Sequence, residues 1–337
     1  MIYYRPIAQT DAARPALAPW LAGGWSWFDR LERLERGKAA KVVTVDEVPE
    51  TVLRRLCDAR GPIAGLTMDR PRLMGIINVT PDSFSDGGRF HAADAAVAHA
   101  RGMAEAGADI LDIGGESTRP GSAAVSVGEE VQRTEPVIRA LAGAGIQTPI
   151  SIDTRKAEVA EAALAAGARI VNDVAALSYD PRLASVVAKA GVPLCLMHAQ
   201  GDPATMQDDP RYDDVLLDVY DYLEARVAVA EAAGIRRDRI IVDPGIGFGK
   251  TVDHNLALIR GLSLFHGLGC PILLGASRKR FIGTIGRAKK ADDRVPGTLA
   301  VTLAGLSQGV QVHRVHDMAE AKQALRLWQA VTLGETT

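Results

Sequence analysis

From residue 73 onward, short apolar runs rich in β-branched residues alternate with longer alanine-rich segments of helical period. The runs are apolar throughout, which is typical of strands buried on both faces of a parallel sheet. In chain order they are LMGIINV, ILDIGG, PISIDT, RIVNDV, VPLCLMH, IIVDPG, PILLGAS and VQVHRVH. Strands that alternate with helices in this number predict an α/β protein with a closed (β/α)₈ TIM barrel. A doubly wound open sheet is the alternative, because strand order cannot be read from the sequence.

The segments between these runs have the period of helices, and most of them end in glycine, which favours helix C-termini. Examples are AADAAVAHARGMAEAG, VGEEVQRTEPVIRALAGAG, KAEVAEAALAAG, VLLDVYDYLEARVAVAEAAG and DMAEAKQALRLWQAV. Each predicts the helix of one strand-helix unit.

Residues 1–72 lie outside this repeat and are predicted to form an N-terminal extension, while residues 73–337 form the barrel. Three of the four tryptophans lie in the extension: Trp20, Trp25 and Trp27. Its charged stretch RLERLERGK predicts a short helix. The extension carries no catalytic pattern, and we expect it to pack as a small subdomain on the barrel or to cover the bottom of the barrel.

Composition narrows the class of protein. The formal net charge is -2 without a block of lysine or arginine, so no nucleic-acid partner is expected. No apolar run approaches the roughly 18 residues that suggest a membrane span, and the N-terminus lacks a signal-peptide pattern. Cys57, Cys195 and Cys270 have no C-x-x-C spacing, which argues against a disulfide framework or a thiolate metal site and indicates a reducing cytoplasm.

Polar residues stand at the carboxyl ends of the predicted strands, where barrel enzymes build their active sites. They are Asn78, Glu116, Thr118, Arg119, Asp153, Asn172, Asp173, His198, Asp243, Ser277, Arg278, Lys279, Arg314 and His316. Taken singly, such residues are more often helix caps, turn residues or satisfied core histidines. Together they predict a ligand site, because burying this many polar groups costs free energy unless a ligand or water satisfies them.

The polar strand ends divide into two kinds of chemistry. The acceptors and the amide of Asp153, Asn172 and Asp243 suit the edge of a planar heterocycle with amino and ring N–H donors. The cationic group consists of Lys279, Arg314 and His316. These residues follow the last two strands, where barrels commonly bind phosphate. A neutral oxygen ligand from Asn78 suits Mg²⁺ held mainly by diphosphate oxygens and water.

The glycine-rich stretch DPGIGFGKT is not a phosphate loop by its spacing. A Walker A loop would need glycine where Pro244 stands, and the glycines do not have G-x-G-x-x-G spacing. We interpret it as a strand-to-helix turn that presents Asp243. Two other stretches, TPDSFSDGGRF and ESTRPGSAAV, are rich in Gly, Ser, Asp and Pro and are predicted to be loops that close over a second substrate.

Two stretches closely resemble the two signatures of the dihydropteroate synthase family: MGIINVTPDSFSDGGRF and ILDIGGESTRPGS. SIDT, VNDV, LMHAQGDPATMQ, DPGIGFGKT, GASRKRFIG and HRVHD resemble its other motifs in the same order, so the likeness covers residues 73 to about 318. The resemblance implies a transferase of folate biosynthesis in which p-aminobenzoate displaces diphosphate from 6-hydroxymethyl-7,8-dihydropterin diphosphate. It also implies a sulfonamide target, a homodimer and a dissociative mechanism in which diphosphate leaves first.

The resemblance assigns roles to the residues that match the family motifs. Asn78 would bind Mg²⁺. The pterin would be held by Asp153, Asn172, Asp243 and Lys279. The anionic part of that substrate would meet Thr118, Arg314 and His316, and Asp153, Lys279, Arg314 and His316 would support catalysis. The p-aminobenzoate pocket would be formed by the two loops, with Phe84, Arg119, Pro120, Lys279 and Arg280.

Two departures and two rival functions remain open at this point. Many relatives have serine where this chain has Arg280, and the tryptophan-bearing extension exceeds the usual short N-terminus. A pterin-binding methyltransferase that uses methyltetrahydrofolate is one rival, but it should lack the two loops and the cations. A catalytically silent pterin-binding homologue is the other, but it should have lost at least one of Asn78, Arg119, Lys279 and His316.

Overall fold

The computed structural model describes residues 1–79, 89–117, 124–201 and 205–334. Its strands are β1 Ile2–Pro6, β2 Arg30–Glu35, β3 Lys41–Thr44, β4 Arg72–Asn78, β5 Ile110–Gly114, β6 Ile150–Asp153, β7 Ile170–Asp173, β8 Leu194–Met197, β9 Ile240–Asp243, β10 Leu273–Leu274 and β11 Val312–Val315. Its helices are α1 Glu50–Cys57, α2 Arg89–Glu105, α3 Val127–Gly143, α4 Ala157–Ala166, α5 Leu183–Ala190, α6 Val215–Ala232, α7 Val252–Arg260, α8 Arg280–Ile285, α9 Val295–Leu306 and α10 Met318–Leu333.

Strands β4 to β11 form an 8-stranded parallel sheet in which the chain order is also the spatial order, and β11 pairs with β4. A parallel bridge between Val242 of β9 and Ile272, just before β10, joins the two remaining strands. The sheet therefore curls into a barrel. The TIM-barrel prediction is confirmed, and the doubly wound alternative is wrong, because an open sheet would leave β9 and β10 as separate edges.

Alternate side chains of each barrel strand point inward, and their chemistry changes along the barrel axis. At the amino ends they form an apolar layer of Met74, Ile110, Ile170, Cys195, Ile241, Leu273 and Val312. The outward side chains of the same strands pack against the surrounding helices in a larger apolar core. The inward polar residues therefore lie above this apolar layer, in the middle and at the carboxyl ends of the strands.

The helices predicted between the strands are confirmed as α2, α3, α4, α6 and α10. Two of them begin with a side-chain cap: Ser126 accepts from the backbone N–H of Glu129, and Asp214 accepts from those of Leu216 and Leu217. Among the residues that the structure describes, no helix combines the length and the apolar character needed to cross a membrane.

The extension begins with an antiparallel sheet in the order β1-β2-β3. The helix predicted at RLERLERGK is wrong, because Arg30–Glu35 is the central strand of this sheet. Pairing on both sides satisfies its backbone, Leu31 is fully buried, and Arg5 of β1 forms a 2.6 Å ion pair with its register partner Glu32. Tertiary pairing overrides the helix propensity of Leu, Glu and Arg here.

The extension contacts the barrel at several places. The Tyr3 hydroxyl donates to Asp221 of α6 at 2.9 Å, and the Trp25 indole donates to the carbonyl of Leu306 at 2.8 Å. A tight turn bridged between Ile63 and Leu66 enters the amino end of the barrel, where Ile63 and Met68 pack on the apolar layer. The separate roles of the extension and the barrel remain a prediction.

Candidate active site

Three predicted site residues share the inner face of the barrel at the carboxyl ends. Asp153 of β6 and Asn172 of β7 are register partners, and Asp243 ends β9. All three are buried. Their inward direction follows from the two-residue period of a strand, because each lies two positions after an inward Ser151, Ile170 or Ile241.

Arg314 of β11 crosses the barrel mouth to two carboxylates. Its Nε donates to Asp112 Oδ2 at 2.6 Å and its Nη2 donates to Asp153 Oδ2 at 2.8 Å. The same Asp112 oxygen accepts from Asn172 Nδ2 at 3.1 Å. Four strands are thereby joined in one polar network. The second carboxylate oxygens, Asp112 Oδ1 and Asp153 Oδ1, are buried and accept no hydrogen bond from any described residue.

Burial controls the ionisation of this site. It raises the pKa of Asp153, with the Arg314 charge opposing it, and it raises the pKa of Asp243, with the Lys279 charge opposing it. Burial lowers the pKa of Lys279 to about 8, against the attraction of Asp243. Each group would gain from a ligand that supplies the missing hydrogen bonds or the opposite charge.

The turn after β9 is held from inside by a lysine. Gly245, Gly247 and Gly249 all have positive φ, and the backbone N–H of Gly245 donates to Asp243 Oδ1 at 2.7 Å. Lys250 Nζ is buried and donates to the carbonyls of Gly245 and Phe248, each at 2.9 Å. Lys250 thus donates hydrogen bonds to backbone carbonyls of its own turn, unlike a phosphate-loop lysine.

Lys279 lies at the mouth beside this turn. Its Nζ donates to the carbonyl of Ile246 and stands 4.4 Å from the centre of the Phe248 ring. Glycines stand beside two of the acidic residues: a Cβ added to Gly275 would lie 3.5 Å from Asp243 Oδ2, and one on Gly114 would lie 3.4 Å from Asp153 Cβ. A side chain at either position would therefore contact the acidic residue.

His316 extends the cationic side of the mouth. Its Nδ1 lies 3.0 Å from Ser277 Oγ, which also accepts from the His316 backbone N–H at 3.2 Å. The neighbouring Arg278 turns away, because its Nε donates to Asp317 Oδ2 at 3.0 Å. The described mouth cations therefore include Lys279, Arg314 and, when protonated, His316.

Two other polar strand-end residues serve local structure. Asp173 points outward and accepts the backbone N–H groups of Ala175 and Leu177 at 2.8 and 2.6 Å. His198 is buried with its Nδ1 at 2.8 Å from Lys250 Nζ, and both burial and this charge lower its pKa to about 2. His198 is therefore a neutral packing residue rather than a charged ligand group.

A second polar cluster joins the two sides of the segment 118–123. Lys156 Nζ donates to Glu130 Oε2 and to the Val125 carbonyl, both at 2.6 Å, and lies 3.2 Å from Glu116 Oε2. Glu116 also accepts the Val125 backbone N–H at 3.2 Å. Thr118, Arg119 and Pro120, and likewise Phe84, were predicted site residues but lie outside the described residues.

Three polar residues near the site were not predicted from the sequence, because none of them stands at the end of a strand. They are Asp112, Lys156 and Lys250. Asp112 does carry a signal: it is the only charged residue in the apolar run ILDIGG, and it shares the inward parity of Ile110. Lys156 and Lys250 carry no comparable signal, because lysines after a strand are usually solvated.

A barrel of parallel strands with buried carboxylates, an amide and cations at their carboxyl ends is the architecture of a TIM-barrel enzyme. A family model described as pterin binding enzyme matches residues 74–316. The dihydropteroate synthase of Escherichia coli (strain K12) is 46% identical over 265 residues, 79% of this chain and 93% of the relative. That of Neisseria meningitidis serogroup B is 49% identical over 269 residues, 78% of this chain and 94% of the relative.

Solved structures agree with these relatives. The dihydropteroate synthase of Xanthomonas albilineans with 4-aminobenzoic acid superposes with a TM-score of 0.76 at 49% identity, covering 81% of this chain and 97% of that chain. The same enzyme in complex with 7,8-dihydropteroate gives a TM-score of 0.73 at 47% identity, covering 81% and 98%. The chain therefore belongs to the pterin binding enzymes, within the dihydropteroate synthase family.

Proposed function

We propose that this chain condenses 6-hydroxymethyl-7,8-dihydropterin diphosphate with p-aminobenzoate and releases 7,8-dihydropteroate and diphosphate in folate biosynthesis. The observation that carries the proposal is the pairing of buried acceptors with cations in one barrel mouth: Arg314 contacts Asp153 across the site while Lys279 stands beside Asp243. Such a mouth suits a substrate with a donor-rich ring at one end and a strong anion at the other.

The pterin is assigned to Asp153, Asn172, Asp243 and Lys279. Carboxylates accept hydrogen bonds from the amino group and ring N–H of a pterin. The amide of Asn172 can either accept or donate a hydrogen bond, whereas an ionised carboxylate can only accept. The raised pKa values of both aspartates support this, because buried carboxylates without enough donors gain most from donors on a ligand.

The diphosphate is assigned to Arg314, His316 and Thr118, with Asn78 as a ligand for Mg²⁺. Asn78 ends β4 at the mouth, and the described residues contain no group of three or more His, Cys, Asp or Glu that could hold a metal by itself. This donor set fits a Mg²⁺ ion that reaches the site with diphosphate and water as its main ligands. Such an ion would supply electrostatic stabilisation of the leaving diphosphate.

In the proposed mechanism the C–O bond to diphosphate breaks first, and the electron pair leaves with diphosphate. The pterin carries the resulting positive charge, which ionised Asp153 and Asp243 stabilise, while Arg314 and His316 stabilise the negative charge on the leaving group. The amino group of p-aminobenzoate then forms the C–N bond and releases a proton. The reaction needs no nucleophile from the protein, since positioning and charge supply the catalysis.

The p-aminobenzoate pocket is assigned to Phe84, Arg119, Pro120, Lys279 and Arg280, most of which lie outside the described residues. Lys279 is half-buried and Arg280 is exposed at the start of α8. A backbone N–H or the guanidinium of Arg280 would bind the aminobenzoate carboxylate. A dihydropteroate synthase of Yersinia pestis has been solved with a sulfonamide drug, and we propose that sulfonamides compete with p-aminobenzoate here.

The decisive experiment is a turnover assay with the purified protein, dihydropterin diphosphate, Mg²⁺ and p-aminobenzoate. We expect formation of dihydropteroate with stoichiometric release of diphosphate. A folded protein that binds pterin without forming product would favour the silent homologue. Methyl transfer from methyltetrahydrofolate would favour the methyltransferase. Titration of Mg²⁺ with and without diphosphate, followed by calorimetry, tests the metal assignment separately, because we expect tight binding only with diphosphate present.

We also propose that the protein is a cytoplasmic homodimer. Leu327 and Val331 are 65% and 77% exposed on α10, which supports an apolar contact between subunits. Cys57, Cys195 and Cys270 are free thiols, which supports a reducing compartment. Sedimentation velocity should give a single species of twice the chain mass, and Leu327→Glu should shift it towards the monomer.

A further inference from the structure

Asp112 is a fully buried carboxylate inside the barrel, at the level just below the proposed substrate site. It lies on the inner face of β5, where its register partners are Ile76 of β4 and Ser151 of β6. A buried carboxylate is costly unless it is paired and hydrogen-bonded. Both hydrogen-bond partners of Asp112 belong to the proposed site, which indicates that its burial serves the site rather than the fold alone.

We propose that Asp112 is a positioning residue that aligns the pterin-binding and diphosphate-binding halves of the site. One oxygen, Oδ2, accepts from both Arg314 Nε at 2.6 Å and Asn172 Nδ2 at 3.1 Å. Arg314 belongs to the proposed diphosphate half and Asn172 to the pterin half. The inference rests on the proposed function for the identity of the two ligands, but the contacts exist independently of it.

The contact with Asn172 determines which end of its amide faces the ligand. An ionised carboxylate only accepts hydrogen bonds, so the NH₂ group of Asn172 must point to Asp112. The amide oxygen is then left for donors on a ligand. Without a carboxylate at position 112 the amide could rotate by half a turn and present donors instead, which a donor-rich pterin edge would not match.

The contact between Asp112 and Arg314 affects how easily Asp153 becomes available to bind the pterin. Among the described residues Arg314 has two carboxylate partners, Asp112 and Asp153. When pterin donors engage Asp153, Asp112 still holds the guanidinium in place near the leaving group. If Asp112 were absent, Asp153 would be the sole partner, and the pterin would have to compete with Arg314 for it.

A further observation supports a role towards a ligand. Asp112 Oδ1 and Asp153 Oδ1 are both buried without a hydrogen-bond partner in the described part of the chain. A purely structural carboxylate would normally have both oxygens satisfied. Two unsatisfied acceptors on neighbouring strands therefore mark the place where donors from a ligand, or water held beneath it, are bound.

The test compares Asp112→Asn with a matched control, Asp173→Asn, which also neutralises a fully buried aspartate. Among the described residues, the Asp173 carboxylate accepts hydrogen bonds only from its own turn. Calorimetry measures the binding of 6-hydroxymethylpterin and of inorganic diphosphate, and steady-state kinetics measures KM for p-aminobenzoate. We expect Asp112→Asn to weaken both ligands by about tenfold or more, as for loss of a charged hydrogen-bond partner. KM for p-aminobenzoate should change by less than about twofold, within ordinary surface-mutation effects.

The Asp173→Asn control should lower the melting temperature and leave both affinities unchanged. If Asp112→Asn behaves in the same way, the positioning role is wrong. If Asp112→Asn does not fold, Asp112→Ser replaces it, and the same affinities decide. A double-mutant cycle adds a second criterion: in an Arg314→Met background, Asp112→Asn should no longer weaken diphosphate binding, and an undiminished loss would contradict the inference.

The two proposals fail in different ways. A wild-type protein that forms no dihydropteroate overturns the proposed function, whereas the affinities for the isolated pterin and for diphosphate still test Asp112. A protein that forms dihydropteroate, but whose Asp112→Asn variant binds both ligands normally, overturns the positioning role alone.

Discussion

At the scale of single residues, the barrel mouth combines groups whose preferred ionisation states depend on each other. Asp243 is buried with a raised pKa, and Lys279 nearby has a lowered one, so each charge stabilises the other against burial. Removing either partner leaves the other as a buried charge with less compensation. Substitutions at these positions should therefore lower the stability of the fold as well as weaken ligand binding.

Asp243→Asn should weaken binding of the pterin by about 1.5 to 3 kcal/mol, because a charged acceptor is replaced by a group that must also donate. Isothermal calorimetry with a pterin lacking diphosphate measures this directly. Asp253→Asn is a suitable control, because Asp253 lies in the first turn of α7 and is not one of the proposed pterin-binding residues. An unchanged affinity for the Asp243 variant would remove this residue from the pocket.

Lys279 should make the reaction sensitive to alkaline pH. Burial lowers its pKa to about 8, and the cation is the form that helps the substrate, so kcat/KM should fall as pH rises through about 8. In the unfolded chain the lysine stays protonated up to about pH 10.4, so between these values the unfolded state binds more protons and stability rises with pH. Lys279→Arg should move the fall in kcat/KM to higher pH. A fall that stays near pH 8 in that variant belongs to another group.

Lys279→Ala and Arg314→Ala should each slow turnover by raising the activation barrier by about 2.7 to 4 kcal/mol, as is typical when one donor to a developing charge is removed. Arg278→Ala is the matched control, because its guanidinium pairs with Asp317 and Asp292 and points away from the mouth. Equal losses for all three variants would mean that a general loss of fold, rather than the mouth charge, is responsible.

At the scale of elements, the turn after β9 depends on how closely its backbone approaches the end of β8. A Cβ added to Gly245 would lie 1.8 Å from the His198 carbonyl oxygen, and φ there is +66°. No side chain fits at that distance without moving one of the two strands. The glycines of this turn therefore serve backbone packing around Asp243.

Gly245→Ala should lower the free energy of unfolding by about 2 kcal/mol or more, because it combines an unfavourable positive φ with a backbone clash. Gly128→Ala, in α3 with nothing within 4 Å of the added Cβ, is the control and should be neutral or slightly stabilising. Thermal unfolding of both variants tests this. A Gly245 variant as stable as wild type would mean that the turn can shift freely.

Elements of the barrel could be predicted where the hydrophobic pattern of the sequence agrees with the burial of the strands. The apolar runs marked the strands because parallel strands are buried on both faces, and Asp153, Asn172 and Asp243 were found because strand ends mark the mouth. Arg30–Glu35 was mistaken for a helix because Leu, Glu and Arg favour helices, whereas its strand conformation depends on pairing with both β1 and β3. Asp112 was missed because it lies within β5 rather than at its end, and its hydrogen-bond partners come from the distant strands β7 and β11.

At the scale of the whole molecule, the extension completes the barrel interior from below. Ile63 is fully buried in the layer formed by the strand amino ends, although it precedes the first barrel strand. The proposed catalytic residues, however, lie at the opposite end of the barrel. We therefore predict that the extension contributes stability and that its removal leaves the catalytic residues in place.

Ile63→Ala should cost about 2 to 5 kcal/mol of stability, as expected for a large-to-small change in a core, with KM for both substrates unchanged. Leu17→Ala, at a residue 96% exposed in the same extension, should have almost no effect. A chain shortened to begin at Met68 should melt at a lower temperature but keep its kcat in the folded fraction. A shortened chain that is folded but inactive would place part of the site in the extension.

The position of the turn at Ile63 has a consequence for how the chain folds. The turn contacts an apolar layer to which both β4 and β11 contribute. Its residues can therefore be buried only after residues much later in the chain are in place. Contacts between such distant parts of a chain slow folding. During synthesis the extension leaves the ribosome before the barrel strands, yet it cannot bury Ile63 until β11 has emerged. We therefore expect folding to finish only after β11 has left the ribosome, with barrel closure and docking of this turn in the same slow kinetic phase.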